Sequence, residues 1–326
     1  SLLLEPASTN LVTYSEDFSN AYWTKVNSAG SSLPIVTSNY GISPDGTQNA
    51  DRIQVSRASG AGDFSSIYKS ITISSSNRAL SVWLKSLSGT PTILIANNNG
   101  TYVSQQITTE WVRYELDLGV GTLTELQLSV VGSNFVQGVS ESADFLAWGY
   151  QLEALSYATS YIPTLSGAIQ TRAAESCDLT PPSGVIGQAE GTVYWEINVK
   201  TTVASGNENI LNIDAGAFGN TIYFIKSASG NLVGEMFTSS SLQASFTKIA
   251  ITEGVHKMAM GYANNNTAFF VDGTQIGTTD TSCTVPTTNR IQLGNGVLGS
   301  SDCLLNDLRL YKTRLTNAQL QTLTTI

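Results

Sequence analysis

The chain has 326 residues, a formal net charge of −9 and 13% charged residues, about half the roughly 25% of an ordinary globular protein. Its hydrophobic content is a normal 41%, which excludes the disordered class. The 16 basic groups against 25 acidic ones exclude the basic face that recognition of a phosphate backbone requires. That imbalance is even along the chain, with 8 basic and 13 acidic groups in residues 1–172 and 8 and 12 in residues 173–326. No apolar run approaches the ~20 residues of a membrane-spanning helix, and no basic region followed by an apolar stretch opens the chain. The length suffices for two domains with separate cores. Ser and Thr make up about a quarter of the residues, so the polar surface is built from hydroxyls and amides. The start at Ser1 suits an excised piece of a longer polypeptide and equally a cleaved tag.

Along the chain the dominant signal is period-two alternation, the mark of a strand with one wet and one buried face. A turn-rich approach over residues 16–23 ends in the adjacent aromatics Tyr22 and Trp23. In residues 79–85, Leu80, Val82 and Leu84 alternate with Ser81, Trp83 and Lys85. Residues 111–118, 125–131 and 144–152 repeat the pattern. Ser166-Gly167, Pro181-Pro182-Ser183-Gly184 and residues 187–191 interrupt it. This predicts a domain over 1–172, a linker over 173–190 and a second domain over 191–326. Alternation resumes at residues 192–199. Asn264 to Asn266 then separate strands at 257–262 and 268–271, and Asp272-Gly273 predicts a type I′ hairpin. Near the C-terminus Thr316 and Gln319 form a capping box, with Leu315 and Leu320 at the positions of a hydrophobic staple. The predicted fold is all-β: two tandem antiparallel β-sandwiches (jelly rolls) with one short C-terminal helix.

The chemical inventory is sparse. Cys177, Cys283 and Cys303 have no metal-ligand spacing, and they read as isolated thiols or as a Cys283–Cys303 disulfide plus one thiol. The single histidine, His256, reads as an exposed strand residue beside Lys257. Glu115 and Asp117 have the spacing of a carboxylate pair on one strand face, yet an outward charge ladder has the same spacing. The Gly294 to Gly296 stretch reads as a turn rather than a phosphate loop. Asp17, Asp45, Asp51 and Asp63 are loop acids that could hold a structural calcium, without the acidic loop pattern of a calcium site. Aromatic rings flanked by amides and hydroxyls suit sugar stacking. Tyr22, Trp23, Tyr40, Trp83 and Tyr102 are the candidate ligand-binding residues. Trp83 opposes the aliphatic face of its strand, so it faces either a concave sheet surface or a second hydrophobic layer.

Several of these segments resemble a known family. Residues 4–12, 14–23, 44–53, 81–85 and 111–114, with the closing Trp148-Gly-Tyr-Gln-Leu-Glu153, Ala158-Thr-Ser-Tyr-Ile-Pro-Thr164 and Thr171-Arg-Ala-Ala174, resemble a carbohydrate-binding-module-like jelly roll of bacteriophage tail proteins. Gly191 to Glu196, His256-Lys257 with Val271-Asp-Gly273, Ile291 to Gly294 and Asp307 to Tyr311 running into Leu315 to Leu320 resemble a laminin-G or concanavalin-A-like sandwich. The resemblance implies a virion-surface, extracellular tail fibre or spike that binds host-cell polysaccharide. It also implies homotrimerisation and contacts with other virion proteins, with no nucleic acid and no membrane insertion. It implies binding without catalysis and no cofactor beyond a structural calcium. The alternatives are a capsid, neck or tail decoration protein and a polysaccharide depolymerase.

Overall fold

The computed structural model describes residues 2–3, 5–98, 100–175, 177–181, 184–199, 207–216, 219–293 and 303–326, without the side chains of residues 2, 3, 74–76, 122–124 and 303. The expected turns at Pro182-Ser183 and residues 294–296 lie outside them. The protein forms two compact units, one spanning Ser8–Arg172 and one made of Ala173–Ile326 together with Ser1–Ala7. Each is an antiparallel β-sandwich, and one short helix closes the chain. The domain limits expected from the sequence shift at two places. β1 (Leu2–Leu3) pairs with residues 304–305 and so belongs to the second unit. Residues expected as linker form a strand, Cys177–Leu179, hydrogen-bonded to residues 291–293.

The first unit contains β2 (Ser8–Asn10), β3 (Thr24–Asn27), β4 (Ser32–Gly41), β5 (Ala50–Ser56), β6 (Phe64–Ser86), β7 (Thr92–Asn98), β8 (Thr101–Gln106), β9 (Val112–Val131), β10 (Ser142–Glu153) and β11 (Gln170–Arg172). Eight of them run in the order β4-β5-β10-β6-β9-β7-β8, with β3 beside β6, and β11 pairs with β2. β6 and β9 are 23 and 20 residues long, well beyond the usual 3–10. Their register shifts between Thr72 and Ser76 and again between Arg78 and Ala79. One half of this long pair joins β3 and β7, and the other half joins β10. Alternation sends Ile67, Leu126, Leu128 and Val130 inward to meet Phe18, Trp23 and Tyr150 in one core.

The closing motif acts as a latch. Glu153 is fully buried and accepts hydrogen bonds from Ser8 Oγ at 2.5 Å, Thr159 Oγ1 at 2.5 Å, Gln151 Nε2 at 2.7 Å and Thr159 N at 3.0 Å. Ile162 N donates to Gln151 Oε1 at 2.7 Å, and Asn10 Nδ2 donates to Ile162 O at 2.9 Å. A carboxylate so enclosed is tolerated because all its partners are in place.

The second unit adds β12 (Cys177–Leu179), β13 (Glu190–Val199), β14 (Glu208–Asp214), β15 (Thr221–Lys226), β16 (Leu232–Thr238), β17 (Ser241–Lys248), β18 (Gly254–Ala263), β19 (Thr267–Val271), β20 (Thr274–Asp280), β21 (Arg290–Leu293) and β22 (Cys303–Tyr311). Two six-stranded sheets, β1-β22-β13-β18-β19-β20 and β12-β21-β14-β15-β16-β17, enclose Trp195, Phe224, Met236, Met260 and Phe269. The Asp272-Gly273 turn forms between β19 and β20, with φ of 50° and 73°, the left-handed values that a type I′ turn requires. α1 (Asn317–Thr324) carries the expected capping box, Thr316 N donating to Gln319 Oε1 at 2.9 Å and Gln319 N to Thr316 Oγ1 at 3.3 Å. At two turns it needs packing to persist. Leu320, Leu315 and Leu323 supply it against Tyr194, Ala259, Ala268 and Phe270.

One expectation is corrected here. His256 is not exposed: it retains 7% of its surface, with Nδ1 2.7 Å from Asp272 Oδ2 and Nε2 2.8 Å from Thr252 O. Both ring nitrogens thus face acceptors, and the Asp272 hydrogen bond holds the imidazole above its ordinary pKa. Of the two readings of the cysteines, Cys283 follows the first: it is a buried free thiol, with Sγ 3.1 Å from Thr267 Oγ1.

Candidate functional site

The first unit carries a groove of about 190 Å³ on the outward face of the sheet half formed by β3, β6, β9, β7 and β8, lined by Val26, Phe64, Ser66, Tyr68, Tyr102, Glu125, Gln127, Val131 and Phe135. Its floor follows from alternation: with Leu126, Leu128 and Val130 committed to the core, Glu125, Gln127 and Ser129 take the opposite face of β9, where Glu125 is half-buried, Gln127 keeps 7% of its surface and Ser129 none. Sheet register then sets their neighbours. Tyr68 stands opposite Gln127, and Ser66 opposite Ser129. Ser70, Glu125, Asn97 and Tyr102 occupy one row across four strands.

Hydrogen bonds stiffen this floor. Glu125 accepts from Asn97 Nδ2 at 2.9 Å, Gln127 Nε2 at 3.1 Å and Ser70 Oγ at 3.4 Å. The Ser66 and Ser129 hydroxyls share a hydrogen bond of 2.6 Å. Phe135 forms the far wall, edge to face with Tyr102 at 5.7 Å and with Phe64 at 6.0 Å. The turn that carries it is anchored by Gly132 N to Asp63 O at 2.8 Å and Asn134 N to Ala61 O at 2.9 Å. A Cβ on Gly132 would lie 2.4 Å from Ala61 O, so only glycine permits this approach. The product is a concave surface with aromatic walls and a floor of amide, hydroxyl and carboxylate. That arrangement stacks on an apolar ring face while hydrogen-bonding the groups at the ring's edge.

Of the five aromatic residues expected at a site, the groove contains Tyr102. Trp23 is 2% exposed and packs on Phe18 at 5.1 Å and Tyr150 at 5.5 Å, its Nε1 donating to Tyr14 O at 2.9 Å. A ring enclosed in this way has no face for a ligand. Tyr22 is half-buried against the core, with Lys69 Nζ 4.4 Å from its ring centre. Tyr40 is 48% exposed on edge strand β4, under the Arg52 guanidinium at 4.9 Å. Trp83 lies in the second of its two alternatives, a hydrophobic layer with Ala50, Leu146, Trp148, Trp111 and Tyr161. Beside that layer, burial pushes the Glu16 carboxyl up against the opposing Tyr161 hydrogen bond of 2.9 Å.

Tyr68 belongs to the aromatic set of the first half without being a candidate ligand-binding residue, and nothing in the sequence marks Phe64, Phe135, Gln127 or Glu125 as site residues. The alternation at residues 125–131 was visible and marks Glu125 and Gln127 as outward. Their pairing with Tyr68 and Tyr102 depends on strand order, which alternation does not encode.

The acidic candidates do not converge. Glu115 pairs with Arg113 at 2.8 Å, and Asp117 accepts from Gly119 N at 2.8 Å. Asp17 binds Ser19 N at 3.1 Å, Asp45 binds Thr47 N at 2.7 Å and Asp63 binds Gly60 N at 2.7 Å. Asp51 accepts from Phe18 N and Asn39 N, each at 2.9 Å, and burial pushes its carboxyl up to about 6. Asp17, Asp45 and Asp63 thus organise their own loops, Asp51 ties two other segments to β5, and Glu115 and Asp117 are engaged beside their own strand; among the described residues no three His, Cys, Asp or Glu side chains are placed to hold a metal ion. Two other openings are weaker candidates. One of about 380 Å³ in the second unit is lined by Thr180, Pro181, Gly184, Ile186 and Gln188 with residues 287–289. There Gln188 already bonds Thr288 through both ends of its amide, at 2.7 and 3.1 Å. The other, of about 390 Å³, flanks β4 beside Leu33 and Ile35.

No protein-family model matches the chain, and no curated protein matches it. Among solved structures it is similar to the CBM40 of the Ruminococcus gnavus IT-sialidase bound to α2,3-sialyllactose, at 16% identity and a TM-score of 0.37, over 46% of this chain and 91% of that one. It is similar to the leech intramolecular trans-sialidase at 14% identity and a TM-score of 0.38, over 46% of this chain and 26% of that one. A heptameric SAP-like pentraxin of Limulus polyphemus gives 15% identity and a TM-score of 0.33, over 41% and 69%. Each likeness spans less than half of this chain, so the site rests on its own geometry.

Proposed function

We propose that the protein binds glycans, without catalysis, in the groove walled by Tyr68, Tyr102 and Phe135. One observation carries this reading: three aromatic side chains flank a hydrogen-bonded floor of Ser66, Gln127 and Glu125 on an outward sheet face. Rings supply stacking area, and amides and hydroxyls match sugar hydroxyls with little charge. The motifs shared with phage tail modules support the finer reading: a virion-surface adhesin that attaches to host polysaccharide. Homotrimeric display would turn weak single contacts into useful avidity. Titration of the ¹⁵N-labelled protein with a panel of mono- and disaccharides tests the reading. Tyr68→Ala and Tyr102→Ala should each weaken binding by roughly tenfold, while Tyr40→Ala leaves it unchanged. Undiminished binding in a folded Tyr102→Ala variant would remove the groove from the site.

A second reading, a decoration or assembly protein, draws on Leu33 and Ile35, which are 53% and 58% exposed on edge strand β4. Tight association with a virion subunit, with no sugar bound at millimolar concentration, would select it.

A further inference from the structure

We infer that the groove selects sugars that carry no anionic group. This rests on the glycan reading and concerns which glycans it admits. Glu125 is the only charged residue that lines the groove among the described residues. All three donors to its carboxylate, Asn97, Gln127 and Ser70, are neutral, so its charge is oriented but not balanced.

The cations on the neighbouring strands are directed elsewhere. Lys25 on β3 alternates with the groove residue Val26, and its Nζ donates to Ser19 O at 3.1 Å. Lys69 on β6 alternates with Tyr68 and sits over the Tyr22 ring. Arg78, further along β6, is buried and donates to Asn98 Oδ1 at 2.5 Å. An incoming carboxylate or sulfate would therefore meet a fixed negative charge with no lysine or arginine to offset it, and like charges brought together at a partly dry site are costly. A neutral ring finds the same carboxylate useful as a hydrogen-bond acceptor. At about 190 Å³ the groove is smaller than the roughly 300–1,000 Å³ of pockets for drug-sized ligands, which fits a single ring.

The test uses sugar pairs that differ only at C6: methyl glucoside against methyl glucuronide, and methyl galactoside against methyl galacturonide. N-acetylglucosamine and 3′-sialyllactose complete the panel, all followed by amide shifts of the whole chain. A neutral member should bind roughly tenfold or more tightly than its uronide at low salt, and the gap should narrow as salt rises to about 0.5 M. Glu125→Gln, which keeps the size of the side chain and removes its charge, should bring the uronide to within about threefold of the neutral sugar. The salt series needs no variant, so it stands even if that substitution disturbs the strand. A uronide or sialylated sugar that binds as tightly as its neutral partner, with shifts abolished by Tyr102→Ala, overturns the charge selection and leaves the glycan site intact. Absence of groove shifts with every sugar at tens of millimolar overturns the glycan reading, and this inference with it.

Discussion

Tyr102 and Phe135 meet edge to face, with ring centres 5.7 Å apart and planes at 85°. One ring comes from β8 and the other from the turn after β9, so this contact joins two elements distant in sequence into one wall. Aromatic pairs of this kind contribute about 0.5–1.5 kcal/mol beyond area burial.

The wall therefore depends on the Phe135 turn. Phe135→Ala should weaken sugar binding by about threefold to tenfold, and Gly132→Ala should do the same indirectly. Its Cβ would collide with the Ala61 carbonyl and shift the turn. Calorimetric titration of both variants with the tightest sugar of the panel checks this. Retention of full affinity in Gly132→Ala would show that the turn does not position the ring.

Trp23 and Tyr40 should behave in opposite ways. Trp23→Ala removes a ring enclosed by Phe18 and Tyr150 and should cost about 3–5 kcal/mol. Tyr40→Ala, at an exposed edge position, should fall within about 1 kcal/mol. Urea unfolding followed by tryptophan fluorescence measures both.

Glu153→Gln tests the latch. The carboxylate accepts four hydrogen bonds, among them donors from Ser8 and Thr159. An amide would keep its oxygen toward the two N–H donors and set its NH2 against the Ser8 and Thr159 hydroxyls, which must turn from donating to accepting, and all four bonds lose their charge. Hydrogen bonds to a charged group contribute about 1 kcal/mol more than neutral ones, so the first unit should lose about 1–3 kcal/mol in urea unfolding. An unchanged midpoint would mean that the network is dispensable.

His256 should give stability a pH dependence of defined sign. Asp272 raises its pKa in the folded protein above the ordinary 6.5, so folding favours the protonated ring. The stabilisation is complete below about pH 6.5 and is lost as pH rises through the higher folded value. Asp272→Asn should flatten that slope. With one histidine in the chain, its imidazole NMR titration is read without ambiguity, and a folded pKa at or below 6.5 would refute the prediction.

Much of the fold was legible in the sequence because it depends on local rules. Alternation at residues 79–85 and 125–131 assigned strands and inward faces. Thr316 with Gln319 located the helix, and Asp272-Gly273 located a hairpin. These features rest on side-chain periodicity, capping and left-handed backbone angles, which act within a few residues. The closing motif was legible as a signature, while its role as a latch around Glu153 was not.

Sequence by itself determined that this is an all-β chain of two sandwiches, poor in charge and rich in hydroxyls. Only tertiary structure decided which aromatics face outward, and it exchanged Trp23 for Tyr68 and Phe135. It also brought His256 to Asp272 and placed Glu125 in a row with Tyr102. The physical reason is that alternation fixes which side of a strand a residue takes. What lies across from it depends on strand order and register, which pair segments far apart in the chain.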